Sequence, residues 1–364
     1  MRAGQHALLA AFACATILML NGCGSSMSTN PTQPVPADVY VAGSDGTQAV
    51  YWKNGVETVL AQNATANAIA VSGTDVYVGG WVNSSGTPPY GGSVATIWKN
   101  GVATALTSSG FSQVNGLALA NGNVYAVGVA FDAAKNAQLA TVWTNGQPSY
   151  LTAGNYPNGS IPLGTTGDAI AVSGSDIYVA GSAVQCIPQS SNFNCGSFAA
   201  YWKDGSVTNL GTISVQNFGS WTSGIGVSGG DVYVSGVTGA NPLQAVYWQN
   251  GMQVSLNLPQ TAGSVSTAIA VAGNAVYVAG GNNGSIAGYW ANGTFTTLGV
   301  STNSQYSDTS GIALNGTDVY VAGAVITPQA TKTTALYWKN GLAVELPSSA
   351  STARALAIAV APQS

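Results

Sequence analysis

Charged side chains make up only 5% of this 364-residue chain, against about 25% in an average domain. Eight Lys and Arg set against twelve Asp and Glu leave a formal net charge of −4. No basic stripe is available to neutralise phosphates, which excludes nucleic acid and any charge-driven hold on an anionic membrane. Histidine is nearly absent: the single His6 lies in the N-terminal leader. Without imidazole in the remaining chain there is no Ser-His-Asp or Cys-His nucleophile, and the commonest zinc and copper ligand is missing. Cysteine is limited to Cys14, Cys23, Cys186 and Cys195, too few to build a metal site without histidine. Neither a cofactor nor a metal is expected. The one long apolar run, Ala7 to Leu20, is too short to span about 30 Å of hydrocarbon as a helix.

What the chain has in quantity is a repeated phrase. An apolar run, a Gly turn and an aliphatic–Tyr pair are followed by Trp-x-x-Gly. The Tyr positions are Tyr40, Tyr77, Tyr125, Tyr178, Tyr233, Tyr277 and Tyr320; the Trp positions are Trp52, Trp98, Trp143, Trp202, Trp248, Trp290 and Trp338. Asn-Gly (Asp-Gly once) follows each Trp, from Asn54-Gly55 to Asn340-Gly341. This is the strongest short hairpin signal, because a type I′ turn needs positive φ at both central residues. Repeats of about 46 residues made only of strands predict an all-β fold, a seven-bladed β-propeller with four-stranded blades. The first repeat starts at its second strand, near Asp38, and the chain ends with an unpartnered first strand, Ala355 to Ile358. The C-terminal strand is therefore expected to pair into the first blade and close the ring, leaving no open sheet edge. Strands apolar on both faces suit sheets sandwiched between neighbours, and the Tyr and Trp rows are read as filling between blades.

The N-terminus reads as an address. Arg2, the apolar run and Leu20-Asn21-Gly22-Cys23 resemble a bacterial lipoprotein signal. The resemblance implies removal of residues 1–22, lipidation of Cys23 and placement in the bacterial cell envelope, with Gly24 resembling outer-membrane sorting. Residues 23–37 then form the lipidated Cys and a Ser/Pro-rich flexible tether, and residues 38–364 the propeller. Cys186 and Cys195 share one inter-strand loop and are expected to form a disulfide stapling it.

The phrase Val-Tyr-Val-Ala-Gly, followed downstream by Tyr-Trp-Lys-Asn-Gly, resembles kelch-type repeats. It is also similar to the HAF-like repeats of bacterial secreted and lipoprotein propellers. The resemblance implies a fold and no catalytic motif.

Loop length varies only between strands b and c and between d and the next a, at one end of the ring. Variable loops on a rigid ring are where binding is usually placed. Aromatics outside the repeat lie there, Trp81 and Trp221 foremost, among neutral Asn, Ser and Thr that suit a carbohydrate or a protein surface. Seven polar residues stand just before the innermost strands: Arg354, Asn67, Asn115, Asp168, Ser223, Thr267 and Ser310. They are expected to ring the channel mouth, with Asp168 and Arg354 facing across it. The same residues could instead only satisfy strand-end backbone groups. The reading is a monomeric, non-catalytic, lipid-anchored binding scaffold for a glycan or protein ligand. One alternative is a carbohydrate-active hydrolase or lyase using Asp168 and Asp308; another is a structural role in envelope assembly.

Overall fold

The computed structural model describes residues 36–84, 92–106, 110–154, 161–188, 193–211, 219–239, 242–258, 263–282, 286–299, 306–327 and 332–363. Cys23 and the other residues before Pro36 lie outside them. Twenty-eight strands form seven four-stranded antiparallel sheets. Blade 1 takes strands b, c and d from β1 (Ala37–Asp45), β2 (Gln48–Lys53) and β3 (Val56–Gln62). In the other six blades strands a to d follow chain order. Blade 2 is β4 (Ala64–Ser72), β5 (Asp75–Asn83), β6 (Ser93–Lys99) and β7 (Val102–Ala105). Blade 3 is β8 (Ser112–Ala120), β9 (Asn123–Asp132), β10 (Ala137–Thr144) and β11 (Gln147–Leu151). Blade 4 is β12 (Ile161–Ser173), β13 (Asp176–Pro188), β14 (Phe193–Lys203) and β15 (Ser206–Asn209). Blade 5 is β16 (Trp221–Ser228), β17 (Asp231–Thr238), β18 (Gln244–Gln249) and β19 (Met252–Ser255). Blade 6 is β20 (Ser264–Ala272), β21 (Ala275–Asn282), β22 (Ile286–Ala291) and β23 (Thr294–Thr297). Blade 7 is β24 (Tyr306–Asn315), β25 (Asp318–Thr327), β26 (Lys332–Lys339) and β27 (Leu342–Glu345). The last strand, β28 (Ala353–Pro362), returns to blade 1 as its strand a and pairs with β1 from Ala37↔Pro362 to Asp45↔Ala353. The a strands touch one another around a closed inner ring.

Closure is reinforced beside that pairing. Asp45, 2% exposed, accepts from Ser349 N (2.7 Å), Ser349 Oγ (2.7 Å) and Ala350 N (3.0 Å). Trp52 Nε1 donates to Pro347 O at 2.8 Å. The segment leading into β28 is thereby tied to blade 1 by side chains as well as by the ladder.

The seven repeat Trp residues are 0–1% exposed and sit between blades. A buried Trp removes about 150–250 Å² from water, worth at most about 6 kcal/mol each by area. Strand b of every blade carries a Gly facing the a-strand carbonyl: Gly43 against Arg354 O, Gly80 against Thr65 O, Gly128 against Gln113 O, and so on around the ring. A Cβ at any of them would collide with backbone, which explains the Gly that closes each Val-Tyr-Val-Ala-Gly phrase.

The c–d turns repeat one clamp seven times. Each turn Asn (Asp204 in blade 4) has φ of 48–51°, and its Oδ1 accepts the backbone N–H of the aliphatic residue just before the repeat Tyr of strand b at 2.8–2.9 Å. In blades 1, 2, 5 and 7 its Nδ2 donates to the Asp that opens strand b, at 2.7–2.8 Å. In blades 1, 2, 4 and 7 the Asp at the start of strand b pairs with a Lys at the end of strand c, Asp38 with Lys53, Asp75 with Lys99, Asp176 with Lys203 and Asp318 with Lys339, at 2.8–2.9 Å. Each ammonium also lies 5.3 Å from a Tyr ring centroid. The carboxyls of Asp38 and Asp318 are held below the usual range mainly by the turn Asn, and those of Asp75 and Asp176 mainly by the Lys.

Candidate binding site at the channel mouth

The polar residues expected just before the inner strands lie inside them. Strand a begins earlier than the apolar run suggests and carries one residue more than strand b, a β-bulge. Asn67, Asn115, Asp168, Ser223, Thr267 and Ser310 are the bulged residues of blades 2 to 7. In blade 1 the bulge falls on Leu356, because Gly43 pairs with Ala355 and Ala42 with Ala357. Arg354 therefore belongs two residues earlier, and the expected ring is corrected at that position. The sequence offered no bulge signal in blade 1, where the bulged residue is apolar.

The bulged side chains latch each blade to the next. Asn67 Nδ2 donates to Val114 O (2.9 Å), Asn115 Nδ2 to Gly167 O (2.8 Å) and Ser310 Oγ to Ala355 O (2.7 Å). Asp168 Oδ2 accepts from Thr222 Oγ1 at 2.7 Å; Ser223 meets Ser266 at 3.0 Å and Thr267 meets Thr309 at 2.8 Å. Each contact reaches the residue just before the next blade's bulge. Blade 1 sends no such bond to blade 2, since Leu356 has no polar atom to offer.

A second latch lies three residues before the bulge. The hydroxyls of Ser112, Thr165, Ser220, Ser264 and Ser307 accept backbone N–H groups from strand c of the preceding blade at 2.8–3.0 Å. The equivalent positions in blades 2 and 1 are Ala64 and Ala353. The bulge row and this row thus carry a structural role that accounts for their polarity.

Between these two rows runs a third whose side chains are left to the channel mouth. Arg354, Thr65, Gln113, Thr166, Trp221, Val265 and Asp308, in blade order, are half-buried or exposed, while the residues on either side of each are buried. Strand alternation turns this row to the face opposite its two buried neighbours, on the innermost strands. It lies at the b–c and d–a end, opposite the clamped turns. No two neighbouring members share a side chain, so here the repeat breaks. Trp221, Asp308 and Arg354 were legible as candidates on other grounds. Thr65, Gln113, Thr166 and Val265 were not, and the bulge register is the signal that finds them.

Asp308 and Arg354, on adjacent inner strands, form an ion pair at 2.7 Å with both side chains more than 40% exposed. Asp308 Oδ1 also accepts Ala324 N at 3.0 Å. Arg354 consequently does not face Asp168 as a free partner; its charge is compensated by blade 7. Asp168 is held by Thr222, and burial pushes its carboxyl up to about 6, against the opposing effect of the Thr222 and Thr166 hydroxyls. Asp168 and Asp308 occupy different rows in blades 4 and 7. The two are not gathered at one strand pair. Among the described residues no cluster of three or more His, Cys, Asp or Glu could hold a metal.

Trp81 lies within β5, not in a loop, half-buried and paired across the sheet with the mouth residue Thr65. Of the other aromatics outside the repeat, Tyr90, Tyr156 and Phe218 fall outside the described residues. Cys186 and Cys195 form the expected disulfide. They are direct cross-strand partners in β13 and β14, so the bridge staples a prolonged hairpin in place of a loop. Strands a, b and c of blade 4 run 13, 13 and 11 residues, long enough to continue the ladder where a loop was expected.

No protein-family model and no curated protein matches the chain. Among solved structures it is similar to the β-propeller domain of the Trilobed protease from Pyrococcus furiosus. That likeness has 12% identity and a TM-score of 0.48, covering 85% of this chain and 93% of that one. Apo AztD from Citrobacter koseri is similar at 11% identity and TM-score 0.39, over 90% of this chain and 98% of that one. The computationally designed Ika8 protein is similar at 14% identity and TM-score 0.42, over 89% and 91%. Likenesses this distant concern the fold and say nothing of activity; the chain is a seven-bladed β-propeller.

Proposed function

We propose that the protein is a cell-envelope binding scaffold, anchored through a lipid on Cys23, that takes a carbohydrate chain at the channel mouth. The observation that carries this reading is the non-repeating mouth row set on an otherwise periodic ring. Trp221, and Trp81 beside Thr65, offer apolar faces for sugar rings. Gln113, Thr65, Thr166 and the Asp308–Arg354 pair offer neutral or compensated hydrogen-bonding groups, suited to hydroxyls and not to a net charge. Binding needs neither imidazole nor a basic patch, and the chain has one His and only eight Lys and Arg.

The test is a glycan array and calorimetry on a soluble 24–364 protein. Trp221→Ala is expected to weaken the ligand found by about 1–3 kcal/mol, the range for an anchoring or stacking aromatic, with an unchanged melting curve. A ligand that is a protein, with the array silent, would replace the carbohydrate reading while keeping the site. Release of sugar that Asp168→Asn abolishes would instead favour the hydrolase or lyase alternative, for which the raised carboxyl of Asp168 is the supporting observation.

A further inference from the structure

The turn end carries an arrangement that the binding reading leaves unused. The first residue of strand d, directly after each c–d turn, runs Val56, Val102, Gln147, Ser206, Met252, Thr294 and Leu342 in blades 1 to 7. Four of these are aliphatic or Met and stand far out in solvent: Leu342 and Met252 at 75%, Val102 at 71% and Val56 at 70%. Each is the cross-strand partner of the last residue of strand c. In blades 1, 2 and 7 that partner is Lys53, Lys99 or Lys339. In blade 5 it is Gln249, and blade 4 pairs Lys203 with Ser206. Exposed aliphatic and Lys therefore coincide in blades 7, 1 and 2 alone, three consecutive blades.

Blade 1, the centre of that sector, is also where the chain enters the ring. Ala37 pairs with Pro362, Pro36 O accepts Gln363 N at 3.0 Å, and Asp38 sits in the turn clamp with Asn54. Pro36 itself therefore stands at the turn end of blade 1, between the blades of Leu342 and Val102.

We propose that the turn end of blades 7, 1 and 2 is a lipid-contact surface that seats the ring on the bilayer and points the channel mouth away from it. The proposal rests on the lipoprotein reading given above. An aliphatic tip beside a long Lys stem is the pattern that settles at a bilayer interface, the alkyl part in the headgroup boundary and the ammonium in water. Lys53, Lys99 and Lys339 are already paired with Asp38, Asp75 and Asp318, so the contact needs no anionic lipid and resists salt. Three side chains are too few to bind a membrane alone. On a tether of roughly 45 Å extended length the anchor supplies a high local concentration, and a weak contact then suffices to choose one orientation.

The experiment uses the full-length acylated protein in phosphatidylcholine vesicles carrying a nitroxide in the acyl chains. A fluorophore is attached at Val102→Cys on the turn end or at Gln113→Cys at the mouth. Flotation with the vesicles is expected for both, with quenching about threefold greater at 102 than at 113. Adding Val56→Asp and Leu342→Asp should erase that difference while flotation persists. Equal quenching at both positions in protein that floats overturns the seating and leaves the anchor intact. Protein that fails to float overturns the lipoprotein reading and the seating with it. A label at 102 that is shielded only as protein concentration rises, with no nitroxide quenching, assigns the surface to a second copy of the chain and also overturns the proposal.

Discussion

At the turn end seven blades place the same atoms in the same relation, whereas in the mouth row no two neighbouring blades carry the same side chain. Asn54, Asn100, Asn145, Asn250, Asn292 and Asn340 take one backbone conformation and accept the same strand-b N–H, and Asp204 stands in for them in blade 4. At the mouth the equivalent positions run from Arg354 through Trp221 to Asp308. One end is built from contacts within a single hairpin. The other is assembled from seven inner strands, each contributing one side chain. A local contact is reproduced whenever the local sequence is; a site shared among blades can vary one member at a time without disturbing the hairpins. That is the arrangement expected when one end maintains the fold and the other is free to specialise.

Three changes break or sharpen that contrast. The largest effect is expected from deleting Ala353 to Ser364, which removes β28 and the ladder to β1. Both ends then lose their frame together, because blade 1 is left three-stranded with an exposed edge. Size-exclusion chromatography and circular dichroism should show aggregation or loss of cooperative unfolding; a monomer with an unchanged melting temperature would refute the closure argument.

A smaller effect separates the ends. Asn100→Ala keeps a β-carbon at φ 50° but loses the amide that makes Asn tolerant of that conformation, together with its bonds to Val76 N and Asp75, and should cost about 2 kcal/mol in denaturant unfolding. Gln113→Ala, at the mouth, should change stability by no more than about 0.5 kcal/mol. Equal losses from the two would dissolve the distinction.

The smallest concerns Asp168, which links the bulge latch to the mouth. Its carboxyl titrates near 6, above its unfolded value. The protonated form is therefore favoured by folding: the contribution is complete below about pH 4 and is lost as pH rises through about 6. In Asp168→Asn this pH dependence should disappear, a flattening of about 1 kcal/mol given a half-buried and partly screened site. Thermal melts at pH 4, 6 and 8 read it directly; a variant that keeps the wild-type slope would show that another group carries the dependence.

The legible parts of the molecule share a physical basis. Asn-Gly turns, the aliphatic–Tyr pair, the buried Trp and the strand-b Gly stand at a fixed place in every repeat and meet the same kind of neighbour each time, so their meaning repeats with the sequence. The latch hydroxyls were present in the sequence as well, at Ser112, Thr165, Ser220, Ser264 and Ser307, but their meaning depends on the bulge. Arg354 shows the consequence: two residues separate a bulge position from a mouth position, and the apolar Leu356 hid which was which. The disulfide was readable as a pair, while its place in a cross-strand ladder depended on how far β13 and β14 continue.

The sequence by itself determined the number of blades, the turn chemistry, the aromatic filling and the closure by the last strand, since each follows from spacing and from conformational demands felt within one hairpin. Only the tertiary structure decided which polar side chains are spent on joining blades and which are left to the channel. That choice depends on the a-strand bulge and on what the neighbouring blade presents some fifty residues away along the chain, for example Asp168 against Thr222, separated by 54 positions.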